Sequence, residues 1–166
     1  VAGFPNLKFS ISATSRAPRH SENHGVDYYF MTAGQFLTDI KAGKFVEWEE
    51  VYNGTHYGTL HSELERIWAK DNSIIFDVDI KGGISLKHIF GERALSIFIM
   101  PPSVEVLRDR LTGRGTDSLE AIEIRVDKAL QEMEYAGQFD MIVVNDVLED
   151  AVAEVESAIE KFLKDE

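Results

Sequence analysis

The sequence predicts an α/β fold of the doubly wound type, and two observations lead to this prediction. Near-continuous runs of β-branched and aromatic residues occur at residues 73–79, 94–100 and 140–144. Such runs are typical of strands covered on both faces of a parallel sheet. Helical patterns alternate with them, at residues 83–90, 104–111, 119–135 and 148–163. Because strands that alternate with helices indicate βαβ units, the core is predicted to be doubly wound. The span 13–71 has more polar strands and is predicted to be an inserted lobe.

The N-terminal part of the chain carries its own sequence signals. The sequence predicts a strand at residues 7–12, followed by a loop at 13–27 and a helix at 33–42. A strand at 45–52 and a helix at 60–70 come next. Thr32 and Gln35 resemble a capping box before the first of these helices, and Gly43 is placed to end it. Asn53-Gly54 is a hairpin turn signal, so we expect a second strand to follow it.

Composition limits the classes of protein to which the chain can belong. Its 166 residues, 44% hydrophobic and 28% charged, fit one globular domain over residues 1–166. It contains no cysteine, which excludes disulfides and zinc–thiolate sites. The net charge of -12 argues against broad binding to nucleic acid or to an anionic membrane. With no visible signal peptide and no apolar run long enough to span a bilayer, a cytoplasmic location is expected.

Two arginines stand close together in the segment from residue 12 to residue 19, SATSRAPR. Arg16 and Arg19 are three residues apart among hydroxyl side chains, directly after a strand. Planar guanidinium groups match the face of a phosphate, so the pair can converge on one phosphate group. The alternative is a solvated loop whose arginines pair with nearby carboxylates.

This segment, followed by a glutamate, a glycine and Tyr28, resembles the GMP-phosphate loop of guanylate kinases. The resemblance extends over essentially the whole chain from Phe4. It implies that Arg16, Arg19 and Tyr28 hold the phosphate of GMP, with Ser12 nearby. Arg16 is then also a candidate catalytic residue, together with Asp79, Arg114 and Arg125 of the motifs described below.

The same resemblance implies an activity and an architecture. Guanylate kinases phosphorylate GMP from ATP with Mg²⁺, giving GDP and ADP, in purine nucleotide metabolism. The implied fold is a P-loop kinase core with an inserted GMP-binding lobe, residues 13–71, and a short lid, residues 112–122. The oligomeric state cannot be read from the sequence.

Glu47 is the candidate for recognition of the base. Guanine offers adjacent N–H donors on its Watson–Crick edge, and one carboxylate can accept both, whereas adenine has no such pair. Similarity to the family implies this role for Glu47 and implies that Tyr57 contacts the phosphate and Thr59 the base. The alternative for Glu47 is an exposed strand carboxylate. Trp48 is expected in the core of the lobe.

Asp77 and Asp79 form a second acidic candidate site. Residues i and i+2 of a strand point to one face, so both carboxylates are expected to face the same way at the carboxyl end of a strand, where ligands bind in open α/β sheets. The Asp-x-Asp pattern resembles that of guanylate kinases, where the pair orients GMP and the hydrated Mg²⁺. No direct metal ligand is expected, and Asp79 is a possible outer-shell partner. The alternative is two ordinary capping carboxylates.

A second cluster of cations lies near the predicted lid. Gly-flanked arginine in a polar loop between helices indicates a mobile segment, and arginines neutralise charge during phosphoryl transfer. The stretch resembles the guanylate-kinase lid, which implies that Arg114 and Arg125 reach the ATP phosphates and that Arg110 lies near adenine. Asn145 matches a turn on the adenine side. The alternative for the arginines is pairing with acidic residues on helix surfaces. The five histidines have no ligand spacing and are expected on the surface.

The motif G-x-x-x-x-G-K-[ST], which holds ATP phosphates in kinases of this class, does not occur in the 166 residues. Either residues that precede Val1 supply the family's first strand and P-loop, or the chain is divergent and binds GMP with almost no turnover. The first alternative is favoured because the lid arginines have a use only with ATP. A further alternative is a guanylate-kinase-like scaffold domain that binds phosphopeptides in the GMP pocket. Such domains tend to lose parts of the phosphate and lid motifs, which are present here.

Overall fold

The computed structural model describes residues 3–19, 21–52, 54–113, 115 and 118–164. The chain divides into two compact units, Val1–Ile89 and Phe90–Glu166. No helix within the described ranges is long and apolar enough to cross a bilayer.

The first unit combines short strands with two helices, and a third helix begins near its end. Its elements are β1 Leu7–Phe9, β2 Ala13–Thr14, β3 Tyr29–Phe30, α1 Ala33–Lys41, β4 Phe45–Tyr52, β5 Thr55–Leu60, α2 His61–Trp68, β6 Ser73–Ile75 and α3 Ile80–Phe90. The second unit alternates strands and helices: β7 Ile97–Met100, α4 Val104–Gly113, α5 Leu119–Met133, β8 Met141–Val144 and α6 Leu148–Lys164.

The predicted parallel strand pairing is present in both units. In the first unit β1 pairs with β6, from Leu7 opposite Ser73 to Phe9 opposite Ile75. In the second unit β7 pairs with β8 in parallel. The expectation that these strands are covered on both faces is wrong at several positions of the second pair. The exposed fractions of Ile99, Ile142 and Val144 are 51%, 41% and 48%, so the faces of the sheet are left open at these side chains.

Strand ends differ from the prediction where a partner strand stops early. The run 7–12 is a strand only as far as Phe9, and the run 73–79 only as far as Ile75. The last ladder bond runs from the amide of Ser10 to the carbonyl of Ile75. With no further partner residue in β1, β6 cannot extend, and the chain enters α3 at Ile80, earlier than predicted. The predicted loop 13–27 contains the short strand β2.

A four-stranded sheet forms the centre of the predicted lobe, with the strand order β3-β2-β5-β4. Successive side chains of a strand alternate between the two faces of a sheet. One face carries Ala13, which packs with Phe36 of α1 and Phe45 in a buried apolar cluster. The rings of Phe36 and Phe45 stack at 4.4 Å between centroids. Since Ala13 and Thr14 are consecutive, Thr14 belongs to the opposite face, where polar side chains collect.

The predicted hairpin and helix α1 are confirmed. β4 and β5 pair antiparallel with Glu47 opposite Thr59, and Gly54 of the turn has a φ of +75°. Thr32 caps α1 by accepting a hydrogen bond from the amide of Gln35 at 3.2 Å. The Gln35 side chain instead donates to Asp39 at 2.8 Å, so only half of the capping box is formed.

Two aromatic residues of the hairpin occupy environments opposite to those expected. His56, expected on the surface, is 9% exposed and stacks against Phe36 at 5.4 Å between centroids. Trp48, expected in the core, is 41% exposed. The two side chains share the face of the sheet that α1 covers, and their rings are 6.1 Å apart between centroids.

The hairpin leaves no room for a side chain at one glycine. A Cβ at Gly58 would lie 2.7 Å from the carbonyl oxygen of Glu47 and 2.8 Å from Phe45 Cδ1. We therefore predict that Gly58→Ala lowers the free energy of unfolding by about 1–3 kcal/mol, measured by urea denaturation. The control is Gly34→Ala in α1, where a Cβ meets nothing within 4 Å. This control should gain up to about 1 kcal/mol from helix propensity, and equal effects of the two substitutions would contradict the packing described.

Candidate functional site

The polar face of the four-stranded sheet carries a buried carboxylate. Glu47 is 8% exposed, and its neighbour across the ladder, Thr59, is fully buried. The Thr59 hydroxyl donates to Glu47 Oε1 at 2.6 Å. Burial raises the pKa of Glu47, the hydroxyl bond opposes that rise, and the negative charge of Asp79 adds to it. Glu47 is therefore not the exposed strand carboxylate that the sequence left open.

The first turn of α3 lies against this carboxylate. A Cβ at Gly82 would be 3.0 Å from Glu47 Oε2 and 3.1 Å from Asp79 Oδ1. The two carboxylates therefore converge on one point of the backbone, and a side chain at this position would press against both of them. The amide of Gly82 also donates to Asp79 Oδ1 at 2.8 Å.

The prediction that Asp77 and Asp79 lie on one face of a strand is wrong, because β6 ends before both residues. Asp77 is exposed and Asp79 is partly buried directly before α3. Asp79 caps the helix through the Gly82 amide, which is the alternative considered for it from the sequence. The capping bond uses Oδ1, and within the described residues Oδ2 of Asp79 accepts no hydrogen bond.

Arg16 lies at the centre of the predicted phosphate loop. Its guanidinium group forms a two-point bond with Glu22, at 2.7 Å and 2.9 Å. The Nε–H donates to the Tyr57 hydroxyl at 3.2 Å, and the group lies 5.2 Å from the centroid of the Tyr28 ring and 5.6 Å from that of Phe30. The bond with Glu22, followed by that with Tyr57, raises the pKa of Arg16 against the effect of burial.

Glu22 also fixes the loop that carries Arg19. Its Oε2 accepts from the backbone amide of Arg19 at 2.7 Å, while the Arg19 side chain itself is exposed. The Arg16 bond, then the Arg19 amide, lowers the pKa of Glu22 to about 2. Arg16 therefore pairs with a carboxylate, as in the alternative that the sequence left open for the arginines of this loop.

Two tyrosines of the predicted phosphate site are in contact. The rings of Tyr28 and Tyr57 meet edge to face at 6.0 Å between centroids. Burial raises the pKa of Tyr28, and the nearby Tyr57 and Asp77 add to the rise. The carbonyl of Ser12 accepts the Tyr29 amide at 2.9 Å, which places Ser12 beside β3. The structure thus brings together Arg16, Tyr28 and Tyr57, with Ser12 close in the sheet.

The second unit brings together two residues predicted on the ATP side. Arg110 of α4 donates from Nη1 to the carbonyl of Asn145 at 2.7 Å and from Nη2 to that of Asp146 at 3.1 Å. It therefore binds backbone carbonyls of the turn after β8 and not an acid on its own helix. Arg125 lies on α5 and is partly buried. Arg114 lies outside the described residues.

Comparison with known proteins places the chain in a family. A guanylate kinase family model matches residues 4–162. The chain belongs to the guanylate kinase family. The guanylate kinase of Bacteroides thetaiotaomicron is 53% identical over 161 residues, which cover 97% of this chain and 79% of that protein. That of Porphyromonas gingivalis is 54% identical over 158 residues, which cover 95% of this chain and 84% of that protein.

A solved structure agrees with the family assignment. The crystal structure of guanylate kinase from Anaplasma phagocytophilum matches with a TM-score of 0.79 at 31% identity, covering 94% of this chain and 76% of that chain. These comparisons confirm the predicted family and the predicted α/β fold class. They also confirm the predicted function, that of a guanylate kinase, which is a phosphotransferase. The roles of the individual site residues stay predictions.

Sequence reasoning missed three features of this guanylate kinase site: the part played by Glu22, the ring of Phe30, and the close approach at Gly82. Phe30 could have been found from the strand period, since it follows Tyr28 by two residues and shares its face. Glu22 and Gly82 left no signal of this kind, because their contacts depend on how the loop and α3 fold against the sheet.

The Glu47–Thr59 bond generates a prediction about titration. Thr59→Val keeps the shape of the side chain and removes the hydroxyl that opposes the rise, so the pKa of Glu47 should rise further. Thr59→Ser keeps a hydroxyl and should leave the pKa near its original value. NMR titration of the Glu47 carboxyl measures both, and identical titration in the two variants would contradict the assignment of this bond.

The raised pKa of Glu47 determines whether its contribution to stability rises or falls with pH. Because the pKa of Glu47 is raised on folding, the folded protein holds this proton more tightly than the unfolded chain does. Its contribution to the free energy of unfolding therefore falls as the pH rises from the ordinary glutamate range through the raised pKa.

Proposed function

We propose that GMP binds on the polar face of the four-stranded sheet, with its base at Glu47 and its phosphate at Arg16, Arg19, Tyr28 and Tyr57, and that it receives the terminal phosphoryl group of ATP. GDP and ADP are the products. The observation that carries the proposal is Glu47, a buried carboxylate that accepts a hydrogen bond from one side-chain hydroxyl, on the same sheet face as Tyr57, which contacts Arg16.

The base site follows from hydrogen-bonding capacity. An ionised carboxylate has about four acceptor positions, and Thr59 fills one of them on Oε1. The adjacent donors of guanine can fill two more, which offsets the cost of burying the charge. Adenine has no such pair and would leave the carboxylate without these partners. Thr59 and Gly82 set the position of Glu47, so both contribute to the choice of base.

The phosphate site contains a competitor for the ligand. A guanidinium group has five N–H donors, and four of those of Arg16 are used by Tyr57, Ala17 and Glu22. A phosphate therefore takes its strongest contact with Arg16 by displacing the Glu22 carboxylate. Arg19, whose side chain is exposed, and the hydroxyls of Tyr28 and Tyr57 supply further donors.

The ATP side is proposed from the family resemblance. Arg110 and Asn145 would lie near adenine, and Arg114 and Arg125 would neutralise charge on the transferring group. Mg²⁺ fits the chemistry of Asp79, since it prefers oxygen ligands, usually keeps several waters and binds through few carboxylates together with substrate phosphates. Asp79 Oδ2 would hold one of those waters. Bound with ATP, Mg²⁺ would supply charge neutralisation of the phosphates.

The domain assignment and location are also proposals. We propose that residues 13–71 act as the GMP-binding lobe, that residues 112–122 act as the lid of one domain spanning residues 1–166, and that the protein works in the cytoplasm. Of the lid, α4 contributes Thr112 and Gly113, and α5 begins at Leu119.

Calorimetric titration of the chain with GMP, with AMP as the comparison ligand, tests the base site. We expect GMP to bind and AMP to bind at least tenfold more weakly. Glu47→Gln should weaken GMP binding roughly tenfold to a hundredfold, because one charge-assisted acceptor pair is lost. Glu50→Gln is the matched control, since Glu50 lies on the same strand, points to the other face and is exposed. Equal binding of the two nucleotides, or equal effects of the two substitutions, would contradict the proposal.

A further inference from the structure

A second buried carboxylate lies behind the phosphate loop, on α2. Glu63 is 1% exposed and accepts four hydrogen bonds. The Ile11 amide and the Tyr29 hydroxyl each donate at 2.8 Å. Arg66, one turn further along the helix, donates from Nε at 2.8 Å and from Nη2 at 2.7 Å. Arg66 also donates to the carbonyl of Phe9 at 3.2 Å.

The partners of Glu63 are the chain neighbours of predicted phosphate-binding residues. Ile11 immediately precedes Ser12, and Tyr29 immediately follows Tyr28. The two segments are joined to each other as well, since the Tyr29 amide donates to the Ser12 carbonyl at 2.9 Å. Glu63 therefore holds in place both chain segments that carry the predicted phosphate-binding residues Ser12 and Tyr28.

The charge state of this network makes it rigid. Burial alone would raise the pKa of Glu63, but the bonds from Arg66, then from the Ile11 amide and Tyr29, outweigh burial and lower it. Burial, followed by the bond to Glu63, raises the pKa of Tyr29, so its hydroxyl keeps its proton and acts as the donor. The Glu63 side chain is buried whereas that of Arg66 is 43% exposed. Removing a donor leaves a buried carboxylate with an unfilled acceptor position, which lowers stability, so the network favours one arrangement of the three segments.

We propose that Glu63 is a positioning residue for the phosphate subsite of GMP. It acts through the Ile11 amide and the Tyr29 hydroxyl, which hold Ser12 and Tyr28 at the distance a nucleotide phosphate requires. Arg66 neutralises the charge of Glu63 and also donates a hydrogen bond to Phe9, the last residue of β1. This inference rests on the proposed binding of GMP at the polar face of the sheet.

The test separates phosphate binding from base binding by comparing GMP with guanosine. Calorimetry on the full chain measures both ligands with the unsubstituted protein and with Tyr29→Phe, which leaves three of the four bonds to Glu63 in place. We expect Tyr29→Phe to weaken GMP binding roughly threefold to tenfold, because the hydroxyl that donates to the Glu63 carboxylate is lost, with guanosine binding unchanged. Glu63→Gln should weaken GMP binding more strongly, again without an effect on guanosine.

Glu65→Gln is the matched control, because Glu65 is an exposed acid on the same helix. It should leave both affinities unchanged. A thermal melt of each variant accompanies the titrations, and if Glu63→Gln fails to fold, Tyr29→Phe alone decides. A purely structural role would lower the melting temperature while leaving the ratio of GMP to guanosine affinity constant, and a constant ratio overturns the inference. Failure of the unsubstituted chain to bind GMP would overturn the proposed function itself, and this inference with it.

Discussion

The cost of removing a carboxylate from water is the constraint on which this structure depends. The first unit buries two glutamates, Glu47 on β4 and Glu63 on α2, and their surroundings differ. Glu63 accepts four hydrogen bonds, two of them from Arg66, and its pKa is lowered. Glu47 accepts one side-chain hydroxyl, lies near Asp79, and its pKa is raised. A carboxylate with a full set of partners stabilises one arrangement of the chain, whereas one with an incomplete set favours any ligand that brings the missing donors.

Because side chains alternate between the two faces of the sheet, the apolar cluster and Glu47 lie on opposite faces. Ala13, Phe45 and Leu60 face α1 and form the apolar cluster of the lobe. The intervening positions place Glu47 and Thr59 on the other face, with the phosphate-loop cations beside them. A slip of one residue in the register of β4 against β5 would exchange the two faces. The same pairing that buries the apolar side chains therefore also sets the positions of Glu47, Tyr57 and Thr59 relative to one another, the residues proposed to contact the base and the phosphate.

Sequence patterns predicted β4 and α1 to within a residue, because a strand before an Asn-Gly turn and a helix after a threonine cap are set by local interactions. They could not predict where β6 ends, since its last residue depends on the length of β1, far away in the chain. The family resemblance identified Arg16, but not that Glu22 holds it in this structure. The Ile11–Glu63 bond joins residues 52 apart, and no local pattern encodes such a contact.

A crystal structure of the chain with GMP bound is the most direct test of the central claim, that the incompletely satisfied Glu47 reads the guanine edge. We expect guanine nitrogens at about 3 Å from the Glu47 carboxylate oxygens, the Thr59 bond retained, and the phosphate bound to Arg16 in place of Glu22. A guanine base bound away from Glu47, with the Arg16–Glu22 pair unchanged, would contradict it.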